Sequence, residues 1–232
     1  MSNNKIAFFL PTRRGSERVR NKNTRPFANI GGGLVENKLK QLLATERIDE
    51  IIFSSNDDTC MNVAAKYDYD NRLKIIPRPE ELCQSSTNLQ DLICYVPTIT
   101  NADHILWGHV TTPLTEAEQY DAAVKLYLEK QDEGYDSLVG VTELKNFLLN
   151  KHGDLINNTT PIPWPRTQDL SPLYEINHTM FIAKRDVYIE QKNRIGKKVW
   201  LYVMDKLHSF DIDWADDFAI AEVLFNHFYS GK

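Results

Sequence analysis

The chain has 232 residues, of which 42% are hydrophobic and 25% charged, a composition that lets a globular protein bury a full core. A formal net charge of −5 at pH 7 argues against general nucleic-acid binding and against an anionic membrane surface. No apolar run is long enough to span a bilayer and no basic-then-apolar leader opens the chain, so a cytoplasmic protein with no membrane partner is expected. Cys60, Cys83 and Cys94 lack metal-type spacing and read as buried, reduced thiols.

In chain order, the first element is IAFFL at 6–10, an unbroken apolar run of the kind found in a central parallel strand covered on both faces. Pro11 ends it, since it brings no N–H to the ladder. The loop that follows carries Arg13, Arg14, Gly15, Ser16, Arg18, Arg20, Lys22, Asn23 and Arg25. Open α/β sheets take ligands at the carboxyl ends of their strands, and guanidinium forks, an ammonium, a hydroxyl and a glycine together suit a polyphosphate. A solvated basic surface is the plainer reading of the same residues. Neither GxxxxGK[ST] nor GxGxxG follows the strand, so no standard phosphate motif decides between them.

A glycine turn at 31–33 leads to a predicted helix over 35–44, then a second buried strand over 48–55. Asp57 and Asp58 precede a helix over 59–67 and read as its cap. A short edge strand at 73–76 runs into RPEEL, which contains Arg78. Ser86, Thr87 and Asn88 either meet a ligand or cap the helix at 89–96. A central strand at 104–108 ends in His109, on the ligand side of the sheet, where the ring is either packed or binding. A covering helix at 116–130 and a strand at 135–141 come next. From 142 to 176, asparagines, threonines and PIPWPR leave no room for a long regular helix or strand, and a segment of this kind commonly contacts a partner. A strand at 199–204 precedes SFDID, where Asp211 and Asp213 share one side of an extended segment and offer hard oxygens to Mg²⁺. A helix over 216–228 closes the chain, with Asp217 at its start. Strands alternating with helices indicate an α/β fold with a mostly parallel sheet.

KIAFFLPTRRGSERVRNKN, RPEEL, RTQDL at 166–170 and SFDIDWADDF at 209–218 together resemble the CMP-acylneuraminate synthetases, and the resemblance covers the chain from Lys5 to about Phe225. It implies a single domain over 1–232 with a three-layer Rossmann-like sheet of the nucleotide-diphospho-sugar transferase type, and a small dimerisation excursion at 142–176. It implies that Arg13, Ser16, Lys22 and Asn23 bind CTP, with Arg78 and Thr87 contributing to the nucleotide site. His109, Asn177 and Phe181 would line the sugar site, and Arg166 or Gln168 would reach the neighbouring active site of a homodimer. Arg13, Lys22 and Asp213 would be the catalytic residues, with Mg²⁺ held by Asp211 and Asp213.

The chain departs from that family's pattern at several positions. Glu17 stands for a lysine, Arg20 for a proline, His109 for a glutamine and Thr115 for an arginine. His178 replaces a glycine, Thr179 an alanine and Phe181 a tyrosine, and Asn193-Arg194-Ile195 stands where sugar-side aromatics are expected. The reaction implied is transfer of CMP from CTP to a sialic-acid-like 2-keto sugar acid with release of pyrophosphate. Rivals are a cytidylyltransferase for a Kdo-type, legionaminic or pseudaminic acid, a glycosyltransferase with its own DxD, and a non-catalytic nucleotide-binding homologue.

Overall fold

The structure is a computed structural model and describes residues 4–15 and 18–229. Seven strands form one sheet in the order β3-β2-β1-β4-β6-β5-β7. They are β1 (Ile6–Pro11), β2 (Glu50–Ser55), β3 (Leu73–Pro77), β4 (His104–Trp107), β5 (Ser137–Leu144), β6 (Leu173–Lys184) and β7 (Val199–Val203). β1 pairs in parallel with both β2 and β4, as β2 does with β3 and β5 with β7. Only β6 runs against its neighbours, β4 and β5. The helices are α1 (Gly33–Leu43), α2 (Asp58–Ala65), α3 (Leu89–Tyr95), α4 (Ala117–Gln131), α5 (Arg185–Glu190) and α6 (Ala215–Tyr229). None among the described residues is long and apolar enough to cross a membrane.

Two hydrophobic clusters explain the layering. One holds Phe8, Leu10, Leu34, Leu39, Tyr120, Tyr127 and Phe218 on one side of the sheet. The other holds Ala7, Phe9, Val96, Trp107, Val139, Phe181 and Tyr188. Alternate residues of β1 thus feed opposite faces, which is why its sequence is apolar without a break. Burial of that run in both clusters supplies the hydrophobic drive of the fold.

Local boundaries follow backbone chemistry. Pro11 is accepted as the last residue of β1, paired with Ser54, and Thr12 N–H then donates to the Ser54 carbonyl. Asp57 caps α2 by accepting from Thr59 N–H at 2.9 Å, and Asn88 caps α3 by accepting from Gln90 N–H at 3.0 Å. Asp217 accepts from the amides of Asp213 and Trp214, the helix-start role expected of it. α1 begins at Gly33 rather than at 35, because φ of +65° brings its backbone against the Arg25 carbonyl, where a Cβ would collide.

The largest difference from the sequence reading lies in the excursion. Strand structure persists inside 142–176: Thr142, Glu143 and Leu144 pair with Glu175, Tyr174 and Leu173. The irregular part is therefore confined to 145–172, broken by the Leu149↔Leu155 bridge and a short 3₁₀ turn at Thr167–Asp169. Leu173 to Ile176 of β6 are all exposed, so neither face of this end is buried and no apolar alternation marks it as a strand in sequence.

Candidate active site

The chain order of strands reverses between β1 and β4, and a cleft opens over the carboxyl ends there, the position expected of a ligand site in an open α/β sheet. It measures about 470 Å³ and is lined by Thr12, Arg13, Arg18, Lys22 and Asn23 after β1, Arg78 after β3, and Trp107, His109 and Thr111 at the end of β4. Leu82, Gln84, Ser85, Thr87, Asn88, Leu89 and Leu92 complete the wall. Gly108 allows β4 to end this way, since a Cβ there would strike the Phe8 ring and the Thr179 carbonyl.

Of the basic loop, Arg13 and Lys22 line both this cleft and a neighbouring cavity of about 300 Å³ that also includes Arg14, Gly15, Arg20 and Asn23. Arg13 reaches the Cys83 carbonyl at 3.4 Å, and Asn23 Nδ2 reaches the Arg13 carbonyl at 3.5 Å. Arg14 pairs with Asp58 at 3.5 Å, while Arg18 pairs with Asp213 at 2.6 Å and lies over the Trp214 ring. Ser16 and Glu17 lie outside the described residues. Arg78 is buried, donating to the Thr12 carbonyl and to Cys83 Sγ, so it braces the turn after β1 from beneath the cleft. Thr87 spends its hydroxyl on the Glu81 carbonyl at 2.8 Å, and Asn88 spends its side chain on the cap of α3.

Lys22 joins the two ends of the chain. Its Nζ donates to the Ile212 carbonyl at 2.8 Å, between the two aspartates. Burial holds its pKa below the ordinary lysine value, with the carboxylates of Asp211 and Asp213 acting in the opposite sense. Ile212 is fully buried, and its N–H donates to the Thr111 carbonyl. Asp211 and Asp213 on either side line a second cavity of about 470 Å³ with Asn177, His178, Ser209 and Trp214.

The two aspartates differ. Asp213 is exposed and held by Arg18. Asp211 is largely buried, its Oδ1 has no hydrogen-bond partner, and desolvation raises its pKa. A buried carboxylate oxygen without a donor is costly, and a hard cation satisfies it. The described residues contain no group of three or more metal-type side chains, but Mg²⁺ commonly takes only one or two carboxylates and fills its shell with water and substrate phosphate. The pair therefore fits Mg²⁺, provided Asp213 exchanges its contact with Arg18.

On the β6 side, Asn177 lies in the second cavity, its Oδ1 accepting from the Thr179 hydroxyl at 2.7 Å. His178 follows with φ of +59°, at an interruption of the β5–β6 register. This left-handed backbone favours glycine, and a histidine held there turns its ring toward His109, 6.2 Å between centroids. Such irregularities re-aim side chains beside sites. Burial, reinforced by Arg194, His178, Lys22 and Lys38, depresses the pKa of His109 to about 3. Its ring is neutral at physiological pH and a weak base.

Of the remaining candidates, one is placed elsewhere and one stands on the excursion. Phe181 is 1% exposed and belongs to the core cluster, beneath the Arg194 guanidinium. Gln168 is exposed in the 3₁₀ turn of the excursion and lines neither cavity, while Arg166 pairs with Asp169 at 2.8 Å. Sequence reasoning passed over Trp107, the floor residue of β4, whose place at a carboxyl strand end was a usable signal. It also passed over Arg18 as the partner of Asp213, for which a contact across 195 positions left no local signal.

Residues 7–229 match the model of the family described as "Cytidylyltransferase". The N-acylneuraminate cytidylyltransferase of Escherichia coli O18:K1:H7 (strain RS218 / NMEC) is 28% identical over 229 residues, covering 94% of this chain and 51% of that protein. This chain thus spans about half the length of that relative. The pseudaminic acid cytidylyltransferase of Campylobacter jejuni serotype O:2 is 22% identical over 239 residues, covering 94% and 96%. The structure of CMP:2-keto-3-deoxy-manno-octonic acid synthetase complexed with CTP superposes with a TM-score of 0.68 at 13% identity, covering 96% of this chain and 99% of that one. It carries the same fold.

Proposed function

The chain belongs to the cytidylyltransferase family of nucleotidyltransferase enzymes, and we propose that it activates a sialic-acid-like 2-keto sugar acid with CTP, giving the CMP-sugar and pyrophosphate. One observation carries the reading. The cationic loop after β1, which lines the cleft, and the Asp211/Asp213 segment before α6, which lines the second cavity, are tied together by Arg18 to Asp213 and by Lys22 to the Ile212 carbonyl. Such an arrangement serves a nucleoside triphosphate with its metal.

The anomeric hydroxyl of the sugar attacks the α-phosphorus of CTP. An O–P bond forms, the bond to the β-phosphate oxygen breaks, and the hydroxyl proton leaves to solvent. Arg13 and Lys22 hold the phosphates and neutralise charge growing on the departing pyrophosphate. Thr87 and Arg78 shape the nucleotide end, and His109 and Asn177 shape the sugar end. His109 is too weakly basic to take the proton and serves in binding. Asp211 and Asp213 would hold Mg²⁺, which when bound polarises the α-phosphate and acidifies the attacking hydroxyl. The protein contributes position and charge rather than a covalent intermediate.

The excursion at 145–172 leaves Leu149, Ile162 and Trp164 exposed, and we place a second copy of the chain against it as a homodimer. Buried free thiols at Cys60 and Cys83 suit the reducing cytoplasm. Release of pyrophosphate from each of the four NTPs, with N-acetylneuraminate, pseudaminate and Kdo, tests the assignment. Release with CTP and one acid supports it, and release only with another NTP contradicts it.

A further inference from the structure

Beside the cleft stands a group of donors with no acceptor. Arg194 lies over the Phe181 ring, its guanidinium carbon 3.7 Å from the ring centroid, and 5.1 Å from that of Trp107. Among the described residues its guanidinium makes no hydrogen bond and no ion pair. Burial depresses its pKa, with the Tyr188 phenol acting weakly in the other sense. Trp107 lines the cleft and is 1% exposed, yet its indole Nε1 has no acceptor, and the hydroxyl of buried Tyr188 is likewise unpartnered.

Arginine and the tryptophan N–H can only donate, so neither satisfies the other. A desolvated guanidinium without a counter-charge is costly, and the contact with Phe181 uses none of its N–H donors, which can therefore serve a bidentate partner. His109, in the same wall, offers no negative charge in any protonation state. The composition of this corner calls for an anion with two coplanar oxygens.

We propose that Arg194 is the specificity residue that receives the carboxylate of the sugar acid, with the Trp107 indole N–H as a second donor. The inference rests on the cytidylyltransferase reading above and adds how the acidic group is told from a neutral sugar. The guanidinium fork over Phe181 recognises a planar carboxylate at the β4 end of the cleft, while Arg13 and Lys22 hold the triphosphate at the β1 end. A phosphate of CTP is the other anion present, and the two make different demands on the experiment.

Binding is measured by calorimetry on the CTP-loaded protein with N-acetylneuraminate, pseudaminate and Kdo, each as the free acid and as its methyl ester. The wild type binds one acid more tightly than its ester, and Arg194→Met lowers affinity for that acid by about 10- to 100-fold, as loss of a charge-assisted pair does. The ester and CTP bind the variant as before. Arg194→Lys, which keeps the charge and loses the fork, regains part of the preference and confirms that the corner stays folded. Survival of the acid preference in Arg194→Met, absence of a preference in the wild type, or weakened CTP binding in the variant overturns the assignment. Because the readout is binding, a wild type that binds the acid but releases no pyrophosphate contradicts the proposed reaction and leaves the Arg194 result to be read separately.

Discussion

The Arg18 guanidinium donates to Asp213 Oδ1 at 2.6 Å across 195 residues of sequence. Both side chains are more than half exposed, so the pair contributes only about 0–1 kcal/mol to stability. On the proposed reading its consequence is functional, since Arg18 occupies one of the two carboxylates that would hold Mg²⁺. Arg18→Ala is expected to melt at nearly the wild-type temperature and to reach half-maximal rate at a several-fold lower Mg²⁺ concentration. Titrating the rate with Mg²⁺ in both proteins checks this. An unchanged requirement would mean that the two contacts do not compete.

Arg13 lines both the cleft and the adjoining cation-rich cavity. A donor that meets charge developing on pyrophosphate acts in the transition state, so Arg13→Ala should lower kcat on the order of 10²-fold. The measurement is kcat and KM for CTP together. A rise in KM with kcat unchanged would assign Arg13 to ground-state binding alone.

The organisation of the β4–α4 loop also predicts a pH dependence. Lys38 is fully buried on α1 and contacts the Thr112 carbonyl at 2.8 Å, the Thr115 carbonyl at 3.2 Å and Tyr120 Oη at 2.9 Å. Asn37 and Gln41 both donate to the Pro113 carbonyl. Burial lowers the Lys38 pKa from 10.5 to about 7. Between those values the unfolded chain keeps the proton and the folded chain sheds it, so the stability contribution grows as pH rises from about 7 toward 10.5. A neutral amine still satisfies the site, giving two hydrogens to the carbonyls and accepting from the tyrosine. Melting curves from pH 7 to 10 should therefore show wild type gaining on Lys38→Met, and a constant difference would refute the shift.

How much of this was legible in sequence depended on whether each element's environment is local. IAFFL at 6–10 announced a two-sided central strand because both of its faces are core. RPEEL and the residues before α6 were legible because caps and turns follow short-range chemistry. The reversal of β6 was not. Its residues mix exposed and buried positions, and the break at His178 interrupts any period. The unequal fates of Asp211 and Asp213 were also hidden, since two aspartates one residue apart look alike until Thr111 and Arg18 are brought beside them. Phe181 was expected at the sugar and sits one layer below, with Arg194 above it.

The excursion carries an assembly prediction. Trp164, 75% exposed, lies against Phe147 with ring centroids 5.4 Å apart and planes tilted by 55°, which leaves a large apolar surface in water. Light scattering should return the mass of two chains, and Trp164→Glu the mass of one. A single-chain mass for the wild type would exclude the homodimer.

The most direct test compares pyrophosphate release from CTP by the wild type and by Asp213→Ala, with N-acetylneuraminate, pseudaminate or Kdo and a range of Mg²⁺. Asp213 is exposed, so the variant should fold, as circular dichroism will show. The account predicts Mg²⁺-dependent release by the wild type with one acid and none above background by the variant. A folded Asp213→Ala protein that turns over near the wild-type rate would contradict it.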